Sequence, residues 1–157
     1  DLDPGIAVDV TAPGGRATAE AQGVPDDPSK VIHFLIENHE SLERRVEEIP
    51  GGVRTRTISQ EPEIIDAVRT HVRQMVDLIH GGGRIRNWDP LFREIFAQRG
   101  AIVMEFTDIE GGVEVVETSE DEEVVKLIRA HAVKVEEFVT RGIEAYREEH
   151  RNAKPVS

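Results

Sequence analysis

A chain of 157 residues without a single cysteine has no disulfide framework, no thiolate metal site, no thiol nucleophile and no covalent haem attachment, so any metal ligand must be His, carboxylate or Met. A formal net charge of −12, from 31 acidic and 19 basic residues, repels a phosphate backbone and argues against nucleic-acid binding. No apolar run approaches the ~20 residues of a membrane-spanning helix, so membrane insertion is not expected.

Residues 1–28 are rich in Gly, Pro, Ala and Asp and carry few large apolar groups. Such a segment cannot bury enough surface to offset its ordering entropy and is expected to form a flexible amino-terminal arm, with "GIAVDV" as a candidate edge strand. A single domain is expected over residues 29–150, followed by a short tail, 151–157.

That domain is a tandem duplication. At an offset of 60, residues 30–82 align with 90–142 without a gap: Ile49, Gly51, Gly52 and Val53 meet Ile109, Gly111, Gly112 and Val113, and Ser59, Arg69, His71 and Gly82 meet Ser119, Arg129, His131 and Gly142. The two repeats are 29–83 and 89–150. Each opens with a short helix, for which Ser29 and Asp89 are the expected N-caps. Two extended stretches follow, joined at a Gly-Gly pair that fits a primed hairpin turn. Ile102, Met104, Phe106, Val113 and Val115 alternate with polar residues, so one face of the second hairpin should pack inward; the first is poorer, with Arg44 standing where Met104 does. After Ser59 and Ser119 come long helices with acidic first turns. The first should end at Gly81-Gly82-Gly83, and the second should run through Gly142 to about His150. The connector between the repeats holds the one tryptophan, Trp88, expected to pack across the seam. Two α-β-β-α units give an α+β fold, with a four-stranded antiparallel sheet, helices on one face and an approximate twofold axis.

His71 interrupts the apolar stripe Ile64, Val68, Met75 and Leu78, and His131 interrupts Val124, Ile128, Val135 and Phe138. Both imidazoles therefore face the core or the seam. A twofold axis would bring them together as cofactor ligands, for one metal ion or as axial ligands of haem b. Met75, one turn after His71, adds a thioether suited to copper, and His33, one turn before Glu37, is a further metal candidate. The competing reading makes both histidines core residues hydrogen-bonded to neighbours. Arg69 and Arg129 point away from the histidines, toward acids such as Glu63 and Glu123 or toward the opposite unit. Arg44, Arg45, Arg54 and Arg56 on one hairpin, against Glu105, Asp108, Glu114 and Glu117 on the other, would fix how the units meet or drive formation of a homodimer. No nucleophile motif, phosphate loop or dinucleotide fingerprint is present, and nothing argues for catalysis.

"HVRQM", "IRNWDPLF" and "GGVEVVETSEDEEVVKLIRAHAVKVEEFVTRG" together resemble a group of small exported bacterial proteins, the likeness covering roughly residues 30–145. It implies a periplasmic or otherwise extracytoplasmic location with a signal peptide removed, which a chain starting at Asp1 would fit. The His-x-x-x-Met spacing of His71 and Met75 recurs in that group and is compatible with metal or haem binding; the arginine-rich "VRTRTIS" departs from its more acidic pattern. The expected function is that of a non-enzymatic haem- or metal-binding protein, the alternative a structural module that dimerises through its charged hairpins.

Overall fold

A computed structural model describes residues 27–148. The expected arm and carboxyl-terminal tail, with the "GIAVDV" strand and His150, lie outside the described residues save for Asp27 and Pro28. The elements run α1 (Pro28–Glu37), β1 (Glu43–Ile49), β2 (Gly52–Ile58), α2 (Pro62–Gly81), α3 (Pro90–Ala97), β3 (Val103–Ile109), β4 (Gly112–Thr118), α4 (Glu122–Arg141) and α5 (Ile143–Arg147). The strands form one antiparallel sheet in the order β1-β2-β4-β3, which makes the α+β fold of two α-β-β-α units a property of the chain.

Local chemistry departs from expectation at several ends. Asp27, not Ser29, caps α1, its carboxylate accepting from the amides of Ser29 and Lys30, with Pro28 in the first helical turn. Asp89 caps α3 as expected, accepting from the Leu91 amide. Ser59 and Ser119 stand two residues ahead of the N-caps Glu61 and Asp121, each hydroxyl accepting from the cap residue's amide. In both hairpins only the second turn residue, Gly51 or Gly111, has positive φ (81° and 82°), so the turns are not of the primed kind. A left-handed second position after an ordinary first is the type II pattern, which Pro50 suits. Helix α2 stops on Gly82 in the left-handed conformation, as expected. Gly142 does not continue α4; at φ 69° it ends the helix, and α5 starts anew after it. Trp88 is 49 % exposed and lies under the Arg86 guanidinium instead of filling the seam.

The two units interlock. Thr55 lies opposite Val115 at the middle of the β2–β4 pairing, and Gly52 and Ile58 at its ends face Thr118 and Gly112. Of the strands, helix α2 of the first unit packs chiefly on β4 of the second, through Ile64, Val68 and Val72 against Val113 and Val115. Helix α4 of the second packs on β2 and β1 of the first, with Val124, Ile128 and Ala132 around Val53. Arg69 donates from Nε and Nη2 to the carbonyls of Gly112 and Ile109, at 3.1 and 2.8 Å. Arg129 returns the contact to Gly52 and Ile49, at 3.4 and 2.9 Å. His39 and Arg99, equivalent in the repeat, each cap the other unit's long helix: His39 Nδ1 donates to Val139 O, and Arg99 Nη1 to Leu78 O. The hairpin charges are also used between the units, since Arg56 meets Glu114 at 2.8 Å directly across β2 and β4.

Contact between β2 and β4 requires glycine. A methyl group on Gly52 would overlap the carbonyl oxygen of Glu117, and one on Gly112 the carbonyl oxygen of Thr57. Gly52→Ala and Gly112→Ala are each expected to destabilise by about 1 to 3 kcal/mol or more, as overpacking of a fixed backbone does. Gly81→Ala, with nothing within 4 Å of the added carbon, should instead stabilise by about 0.5 to 1 kcal/mol. Urea midpoints of the three variants test this.

Candidate functional site

Alternation along the strands sends Arg44, Val53, Thr55, Thr57, Met104, Val115 and Glu117 to the face covered by the helices. Between that face and the helices lies a cavity of about 200 Å3, walled mostly by aliphatic and aromatic side chains. Ile32 and Ile36 of α1, Val68 and Val72 of α2, Phe92 of α3 and Phe138 of α4 contribute to it. Stripe positions of α2 and α4 put His71, Met75 and His131 on the same wall. The duplication thus brings both predicted histidines to one cavity. His33 is not there: it is exposed on α1, its ring 5.5 Å edge-on from Tyr146. Among the described residues no group of three or more His, Asp or Glu side chains is gathered in a way that could hold a metal ion.

His71 Nδ1 is buried with no hydrogen-bond partner, and His131 has the edge of Phe92 at 5.1 Å and no hydrogen bond to a described residue. Burial pushes the pKa of each ring down to about 4, the Arg44 charge acting in the same direction; for His131 the charge of a protonated His71 adds to it. At neutral pH both rings are therefore uncharged, with lone pairs free to accept a hydrogen bond or ligate a metal.

Two cavity residues were not legible as site residues. Arg44, equivalent to Met104, occupies an inward position of β1; its Nη1 donates to Ala132 O at 3.0 Å and to Glu136 Oε1 at 3.2 Å. Its Nε and Nη2 have no hydrogen-bond partner among the described residues. Glu117, equivalent to Thr57, occupies an inward position of β4 without a hydrogen bond or close ion pair among them. Burial raises its pKa to about 7, with the Arg44 charge pulling the other way. The sequence signal was the phase of the alternation, which puts Arg44 and Glu117 on the same face as Val53, Val113 and Val115. Arg86, also on the cavity wall, is fully committed elsewhere. It is paired with the buried Asp89 at 2.9 Å, bonded to the carbonyls of Tyr146 and Glu148, and enclosed by Trp88, Phe92, Phe138 and Tyr146.

The site can therefore hold an apolar body while offering a cation edge, a carboxyl and two neutral imidazoles. No family model, curated protein or solved structure matches the chain. Among the described residues no helix is long and apolar enough to cross a membrane.

These shifts set a pH dependence. The histidines' native pKa values lie below the unfolded value of 6.5, so their contribution is complete above about pH 6.5 and is lost as the pH falls toward 4. Glu117 runs the opposite way: its native pKa is raised from 4.5 to about 7, so its contribution is complete below about 4.5 and is lost as the pH rises toward 7. Between these limits the unfolded chain holds two more protons on the rings and one fewer on the carboxyl. The three groups together make stability rise with pH up to about 6.5, then fall slightly. Urea titrations from pH 4.5 to 7.5 should show His131→Leu flattening the rising limb relative to the wild type and Glu117→Gln steepening it.

Proposed function

We propose that the protein is a non-enzymatic binding protein whose guest occupies the cavity between the sheet and the two long helices, with His71 and His131 as its polar contacts. The observation that carries this reading is a cavity that receives both His71 and His131, neither ring hydrogen-bonded to a described residue. Buried polar groups in folded proteins are nearly always hydrogen-bonded, and imidazoles lining a void without a protein partner are groups that a bound molecule would satisfy. A guest that binds only the folded chain also stabilises it, by about 2.7 kcal/mol at a hundredfold excess over its dissociation constant.

Copper and haem are guests that neutral imidazoles would ligate directly, copper with Met75 as a soft third donor. Their demands differ. A copper ion would feel the same Arg44 charge that opposes ring protonation, whereas a haem would need more room than about 200 Å3 provides. In the exported setting that the likeness of "IRNWDPLF" implies, such a protein would carry its guest and not convert it.

The test is a titration with haemin, with copper and with small apolar alcohols, read by absorption, melting temperature and the ring resonances of His71 and His131. At least one of these should raise the melting temperature and move both ring signals. A metal centre should in addition give an absorption band that His71→Leu and His131→Leu each abolish. Indifference of both the rings and the melting temperature to all three kinds of guest would overturn the proposal.

A further inference from the structure

The unpartnered edge of Arg44 specifies the guest more narrowly than the histidines do. One side of the guanidinium is held by the Ala132 carbonyl and by Glu136, a residue whose side chain is 40 % exposed, while the Arg44 side chain is 8 % exposed. This fixes the plane and leaves Nε and Nη2, the pair of parallel donors that matches the two oxygens of a carboxylate. The rest of the wall is mostly apolar. The space is smaller than the roughly 300 to 1,000 Å3 of pockets for drug-sized ligands, yet above the ~150 Å3 of a cavity that takes up benzene.

From this juxtaposition we infer that the cavity binds a small organic acid with an apolar body, a short aliphatic chain or a single ring, its carboxylate seated on Nε and Nη2 of Arg44. The inference rests on the cavity being the binding site, as proposed above, and adds the chemical class of the guest. Thr57 lies opposite Arg44 in the β1–β2 register and also lines the cavity. Glu117 would compete for Arg44 as a carboxylate, but with its pKa raised to about 7 it is readily present as the neutral acid, which can donate a hydrogen bond instead. The neutral His71 and His131 can donate one N–H each. The net charge of −12 opposes the approach of an anion, but at physiological ionic strength charges beyond about 8 Å are largely screened, and Arg44, with Glu136 held on its other edge, supplies the cation at the seat.

Calorimetric titration of the wild-type chain at pH 6.5 with hexanoate and benzoate, each beside its neutral match, 1-hexanol and benzyl alcohol, decides the matter. The acids are expected to bind at least tenfold more tightly than the alcohols. Arg44→Met should remove that preference while leaving the alcohols bound, and Arg44→Lys should restore part of it. Equal affinity for acid and alcohol in the wild type would overturn the inference and leave the cavity reading standing. If neither acids nor alcohols bind, the inference falls, and the cavity reading stands only on a response to haemin or copper. The wild-type comparison needs no variant to fold, and a preference for acids that survives in Arg44→Met would place the anchor elsewhere and likewise overturn it.

Discussion

Glycine at positions 52 and 112 is the constraint on which the molecule is built. The main chains of β2 and β4 come so close there that the carbonyls of Glu117 and Thr57 occupy the volume a side chain would need. Closing that seam makes one sheet out of two hairpins, and only then do the Arg69 and Arg129 side chains find the turn carbonyls of the opposite unit. It also gives each long helix a floor made by the other unit's inner strand. An isolated two-stranded hairpin is marginal in water, and a four-stranded sheet covered by two amphipathic helices is not.

The cavity follows from the same arrangement. Helices α2 and α4 lie side by side over one sheet, and the residues facing the middle of that sheet are Thr55 and Thr57 along with valines, none large enough to fill the space below. Into it the chain places Arg44 and Glu117, each where the other repeat has Met104 or Thr57. A buried charge without full compensation is costly, and an apolar pair would pack at least as well. A buried ring nitrogen of His71, which lines the same cavity, is also without a partner. The asymmetry matters as well, because the repeats agree closely in backbone and in His71 and His131 but differ at the charged positions, so the cavity has a cationic side and a carboxyl side.

Much of the architecture could be read from the duplication, because turn glycines, helix stops and the alternation of Met104, Phe106, Val113 and Val115 are local signals. The histidines were legible because each broke an apolar stripe at the same place in both repeats. What failed was chemistry set by neighbours distant in sequence. Arg44 looked like a defect in a strand, since its bonds to Ala132 and Glu136 depend on α4 lying over β1. Glu117 looked like a surface acid in a chain full of them. Gly142 looked tolerable inside a helix; a side chain there would come within 2.6 Å of the His39 ring, which caps α4 from the other unit. His33 had only a one-turn spacing to recommend it, and α1 turns that face outward.

The crossing of the helices over each other's hairpins also fixes the order in which the molecule can be completed during synthesis. When the ribosome has released α2, its apolar stripe has no floor, since Val113 and Val115 have not yet been made, and β2 presents an open edge to its surroundings. Long-range pairing of this kind is slow, because loop-closure entropy is spent before any contact rewards it. The first repeat must therefore wait, half-made, for the second.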